Sequence, residues 1–323
     1  MIAKDASLNA SGTTNPMRFH GFDALRVAGM SAVIYIHACD TNDAVEWGMR
    51  YLGFAVPCFL MMSAFLAQQT ILRKNIASIE WITRKFKRLA PSYFAWSAIY
   101  LAVRFAKSMA TGEQLESGIL GSIFWGDASH QLYFVPFLFY SFVVWTGLMR
   151  LARRRPVTTA GLLAVSIVIF VWQAPAIEAS LPANRWFIGK NLAWFPIGML
   201  FAIVVEQLRE KRELFFWPIL ALLVVMLLSD FLNVYAISTV VFALAIAAQR
   251  PAPHWLKHLS IYSFGVYLSH VLFIEGMQFM APRIGLNLQS ISVTLGIMVI
   301  AGLFSYAICM LLGQSKWSRW SVT

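Results

Sequence analysis

The chain has 323 residues, 59% of them hydrophobic and only 13% charged, whereas a soluble domain averages about 45–50% apolar and about 25% charged. That balance excludes a soluble globular enzyme and leaves a polytopic membrane protein. A formal net charge of +11 would suit a nucleic-acid partner, but the cations fall in clusters between apolar segments, so membrane topology explains them and no nucleic acid is expected. Cys39, Cys58 and Cys309 lie inside apolar segments and offer neither a disulfide framework nor a metal-ligand spacing.

Ten apolar segments follow in order: 20–39, 48–70, 89–106, 131–150, 157–174, 190–206, 214–229, 231–248, 261–280 and 291–312. Each approaches the roughly 20 residues a helix needs to cross a bilayer, and helices satisfy all their backbone groups there. The fold expected is all-α, about ten transmembrane helices in one domain (20–312), with short tails at 1–19 and 313–323. The first sixteen residues are polar and lack the apolar core of a cleaved signal. Placing the N-terminus inside gathers Arg84, Lys85, Lys87, Arg88, Arg150, Arg153, Arg154, Arg155 and most other cations on one side, leaving Arg50, Arg104, Lys107, Arg185, Lys190 and Arg283 opposite. Both termini are therefore expected in the cytoplasm, the protein sitting in the inner (plasma) membrane. The longest outer loop, 107–130, has an apolar centre, GILGSIFWG, too short to cross; it either lies on the surface or folds back over a site.

Within the first segment, FDALRVAGMSAVIYIHACD, Arg26 and His37 stand eleven residues apart. That is about 16 Å and about three helical turns, so both project from one face, Arg26 near the inner surface and His37 deep. Ionisable groups in a membrane segment usually mark function. Arginine grips phosphate with paired hydrogen bonds, and histidine exchanges protons near neutrality. Asp40, one turn beyond, either orients His37 or belongs to the outer loop. The third segment opens TRKFKRLAPSY; Arg84 and Arg88, at i and i+4, share a face suited to an anion, Lys85 and Lys87 read as topology signals, and Pro91 fixes or kinks the entry. The fourth opens SHQLYFVPFLFY, with His130 and Gln131 at the outer surface. The ninth, SIYSFGVYLSHVLFIEG, puts Ser263, Tyr267 and His270 on one stripe, with Glu275 farther out.

Five of these stretches together resemble the acyltransferase-3 family of integral membrane O-acyltransferases. DALRVAGMSAVIYIH is similar to its arginine–histidine signature. VPCFLMMSAFL, which contains Ser63, resembles the second-span motif, with Ala64 where glycine is common. RKFKRLAPSY, ending at Tyr93, resembles the third-span pattern; QLYFVPFLFY resembles the fourth-span opening, with Gln131 and Tyr133 in place of His and Trp; YSFGVYLSH resembles the ninth-span pattern. The resemblance implies a stand-alone membrane acyltransferase, without the hydrolase-like domain fused to some relatives, taking acyl-CoA (most simply acetyl-CoA) as cytoplasmic co-substrate with no permanently bound cofactor. It implies His37 as base or transient acyl carrier with Arg26 beside it, Arg84, Arg88 and Tyr93 at the donor entrance, and Ser63, Tyr267, His270, Glu275, His130, Gln131 and Asp40 along the tunnel or acceptor site. The acceptor implied is a hydroxyl of a surface polysaccharide or lipid-linked glycan, with membrane lipids and polysaccharide-synthesis proteins as further partners.

A proton-coupled transporter using His37, His270 and Glu275 as a relay is the competing class. A polyprenyl-dependent glycosyltransferase ranks below it because the loops are short. His254 and His258 share a helix face without a third ligand nearby, so no metal is expected, and no phosphate-cradling glycine loop suggests direct use of ATP.

Overall fold

A computed structural model describes residues 19–39, 51–74, 76–112, 118–182, 185, 187–208, 219, 234–248, 250–315 and 321–322. Asp40, most of segment 214–229 and most of both expected tails lie outside the described residues. The eleven helices named here are α1 (Gly21–Ala38), α2 (Ala55–Arg73), α3 (Ser78–Thr111), α4 (Ile119–Phe124), α5 (Phe134–Arg154), α6 (Pro156–Ser180), α7 (Phe187–Asn191), α8 (Trp194–Gln207), α9 (Val234–Ala247), α10 (His254–Met280) and α11 (Ile291–Gln314), with a 3-10 turn at Ala281–Ile284. No strand occurs among the described residues.

Among the described residues, six stretches are long and apolar enough to cross a bilayer: α2, α5, α6, the α7–α8 stretch Phe187–Gln207, α10 with its extension to Ile284, and α11. The protein is a multi-pass membrane protein. About ten crossings were expected; segment 214–229 lies mostly outside the described residues, and three further helices fall short of this measure for chemical reasons. α1 and α3 carry Asp23, Arg26 and His37, and Glu80 to Arg88, Arg104 and Lys107, which depress their apolarity. α9 is only 14 residues long. α3 is much longer than expected, 34 residues, and passes through Pro91 without ending.

Packing follows from where small and aromatic residues fall. Gly198 brings α8 against α2 so closely that a Cβ there would collide with the Met61 carbonyl; small residues permit such approaches between membrane helices. Phe19, Phe22, Phe65, Phe201 and Phe242 interlock edge-on and stacked, with centroids 4.8–5.9 Å apart, joining α1, α2, α8 and α9 near the Arg26 end of α1. α10 packs against both α1 and α11, which also touch each other. α6 is the opposite case: Val157, Val168 and Trp172 stand largely uncovered, a surface suited to acyl chains.

The apolar centre of the expected outer loop, 118–126, folds back. The buried Tyr93 hydroxyl donates to Ser122 O (2.5 Å) and Ile123 O (3.1 Å), and Tyr140 donates to Phe124 O at 2.9 Å, so α4 is pinned against α3 and α5. Gly126 then turns the chain at φ +80°, a left-handed conformation that glycine adopts without penalty. A Cβ there would strike the backbone at Tyr133.

Candidate functional site

Two cavities lie along α1. The larger, about 990 Å³, is lined by His37, His130, Gln131, Tyr133, Asn191 and Trp194, among others; the smaller, about 200 Å³, by Arg26, Phe59, Ser63, Lys85, Arg88 and Phe134, among others. Tyr267 lines both. Arg26 and His37 thus share a helix face, as their spacing requires, but open onto separate cavities with this tyrosine between them. Its hydroxyl donates to Gln131 O at 2.5 Å, and its ring lies 5.3 Å from Phe134 and 5.9 Å from His270.

Three imidazoles meet at the larger cavity. His37 Nδ1 and His130 Nε2 are 3.0 Å apart, and the His270 ring lies 5.2 Å from that of His37. His270 is fully buried; its Nδ1 donates to Tyr267 O (2.8 Å) and Val266 O (3.2 Å), so its Nε2 carries the lone pair and finds no partner. The three rings invite a metal, yet no group of three or more His, Cys, Asp or Glu arranged to hold one occurs among the described residues. His130 is exposed at the cavity wall, with protein packed closely around it. That packing, and then the charge of Arg104, lower its affinity for a second proton below the usual histidine value.

Aromatic and polar side chains line the larger cavity together. Tyr133 stacks on Phe187 with centroids 4.0 Å apart. Trp194 stacks on Tyr235 at 4.5 Å. Arg185 grips Asp127 with two bonds of 2.6 and 2.8 Å and lies 5.0 Å over the Trp125 ring. Arg104 donates to Asp127 O at 3.0 Å. Glu178, Lys190 and Asn191 complete the polar rim. The smaller cavity is cationic. Buried Asp23 holds Arg26 at 3.4 Å and accepts from Ser260 Oγ at 2.8 Å, tying α1 to α10. Lys85 Nζ rests over the Trp81 and Phe142 rings at 4.3 and 4.5 Å.

Of the residues singled out in the sequence, the structure gathers His37, His130 and Gln131 in the larger cavity, Arg26, Ser63 and Arg88 in the smaller, Tyr267 between them and His270 behind His37. Arg84 turns instead to Glu80, 2.5 Å away on the surface. Tyr93 anchors α4 rather than lining the smaller cavity. Glu275 is exposed and lines neither cavity, so it is not joined to the histidines as a relay would require. Lys85, read as a topology signal, is a cavity residue. Asp23 passed unnoticed, although its i, i+3 spacing to Arg26 was a signal.

The chain matches the acyltransferase domain model of the acyltransferase-3 family over residues 19–313. No curated protein and no solved structure matches it. A match across nearly the whole described chain, on a multi-pass helical fold carrying an arginine and a histidine on one helix, makes this protein a member of the acyltransferase-3 family of membrane acyltransferases.

Proposed function

We propose that the protein is an O-acyltransferase that moves an acyl group, most simply acetyl, from cytoplasmic acyl-CoA to a saccharide hydroxyl presented at the outer side of the plasma membrane. The observation that carries this reading is the pair of cavities parted by one tyrosine, cationic on one side and histidine-bearing on the other. The smaller cavity lies below the roughly 300–1,000 Å³ of ordinary ligand pockets; it suits a thin pantetheine arm rather than a compact molecule. The donor's phosphates would meet Arg26, Lys85 and Arg88, and its nucleotide would rest at the mouth. At about 990 Å³, the larger cavity suits a glycan unit, with Trp125, Tyr133 and Trp194 for sugar faces and Asn191 and Glu178 for hydroxyls.

In this reading the thioester arrives beside Tyr267 and the acceptor hydroxyl beside His37. The free ring nitrogen of His37 takes the hydroxyl proton as the oxygen attacks the thioester carbonyl; the C–S bond breaks, and the departing thiolate recovers that proton from the imidazolium. The ester and CoA thiol leave on opposite sides.

His37→Ala is expected to lower transfer at least about 10²-fold, read as O-acetyl content of the surface glycan per unit of protein in the membrane. Unchanged O-acetylation at normal protein level would overturn the proposal.

A further inference from the structure

We infer that His130 is the positioning residue of His37, an imidazole standing where a carboxylate would serve in a catalytic triad. The inference rests on the reading of His37 as the base. Its warrant is geometric: the side chains of residues 93 positions apart in sequence meet nitrogen to nitrogen at 3.0 Å. An imidazole whose Nδ1–H donates to a fixed acceptor is held in one tautomer and one ring orientation, with its Nε2 lone pair free for a proton. Among the described residues no carboxylate is hydrogen-bonded to His37. Asp127 is engaged by Arg185, and Glu275 is exposed outside the cavity.

The turn that delivers His130 is built to be rigid. Ala128 and Leu132 are fully buried. Ser129 Oγ donates to Gln131 Oε1 at 2.5 Å, Leu132 N donates to Ser129 O at 2.9 Å, and Tyr267 clasps Gln131 O from α10. His270 packs behind His37 and restricts its ring further. Arg104, which faces His130 from α3, disfavours a second positive charge beside it, and so leaves His130 one nitrogen able to accept, which this inference assigns to Nε2. When His37 gains the acceptor's proton, the imidazolium strengthens the same Nδ1–H···Nε2 bond.

The test uses the purified full chain in lipid nanodiscs, with acetyl-CoA and base-deacetylated surface glycan from the source cells, following release of CoA. His130→Ala is expected to reduce kcat about 10²-fold, the scale of a misoriented catalytic group, with KM for acetyl-CoA unchanged. His130→Gln, whose amide oxygen reaches about as far as Nε2, should recover most of that loss, whereas His130→Leu should not. Free imidazole should partly rescue His130→Ala through the open cavity, a response that a purely structural role would not give. Wild-type kcat in His130→Ala, or Gln and Leu variants equally slow with no response to imidazole, would overturn the inference while leaving the proposed function standing if His37→Ala is inactive. A fully active His37→Ala would remove the proposed function itself.

Discussion

At the scale of single residues, two neighbouring cations separate. Arg84 and Lys85 are adjacent in a basic run, and the i, i+4 stripe selected Arg84 with Arg88. The structure sends Arg84 to Glu80 on the surface and lays Lys85 across Trp81 and Phe142 into the smaller cavity. Lysine stems pack along apolar surface while the ammonium seeks a polar outlet, and here that outlet faces the proposed phosphate path. Lys85→Met is expected to raise KM for acetyl-CoA about tenfold, the value of one charge-assisted hydrogen bond. Arg84→Gln should leave it within experimental error, since its present partner is an exposed side chain. Steady-state kinetics on the two variants decides the point. Arg26 and His37 were legible from sequence because both sit on one helix, where spacing alone fixes direction. The meeting of His37 with His130 was not, because it depends on a turn that only the folded α4–α5 connection defines. Gln131 was expected at an outer site, and it lines the larger cavity, where its carbonyl accepts from Tyr267.

At the scale of elements, the six long apolar stretches and their order were readable from hydrophobicity, while their ends were set by other forces. α6 begins at Pro156, whose missing amide hydrogen costs nothing at a first helical position. α3 outruns its apolar stretch because its basic first turns extend past the hydrocarbon-like part of the chain. The behaviour of GILGSIFWG was left open by composition and is settled by two tyrosine hydroxyls, Tyr93 and Tyr140, from different helices. Tyr93 therefore earned its place in the motif as a brace. The close approach of α2 and α8 depends on Gly198. Gly198→Ala should destabilise by about 1–3 kcal/mol, the usual cost of inserting a methyl into a packed interface, and should lower the melting temperature of the purified protein in detergent. An unchanged melting temperature would mean that the two helices separate freely at that point.

For the whole molecule, orientation governs which cavity meets which substrate. Under the proposed orientation, α3's first turns lie in the cytoplasm and α4 on the outer side. Cys39, Cys58 and Cys309 are all buried, which gives a low background for impermeant thiol reagents. Gly118→Cys is expected to react in intact cells and Glu80→Cys only after permeabilisation. The reverse pattern would put the cationic cavity outside and detach it from cytoplasmic acyl-CoA. Composition made the membrane class legible, since 13% charge supports little else. The pairing of cavities was hidden, because it arises from residues of α1, α2, α3, α5 and α10 converging from distant parts of the chain.

Tyr267 is the feature with the widest consequence. A side chain shared by both cavities and latched to a backbone carbonyl lets a two-carbon fragment pass one way and a single proton the other by chemistry, while the bodies of both substrates stay where they are. Under the proposed reaction, gradients of ions other than the proton survive each turnover, because neither substrate has to leave its own side and no continuous aqueous thread forms.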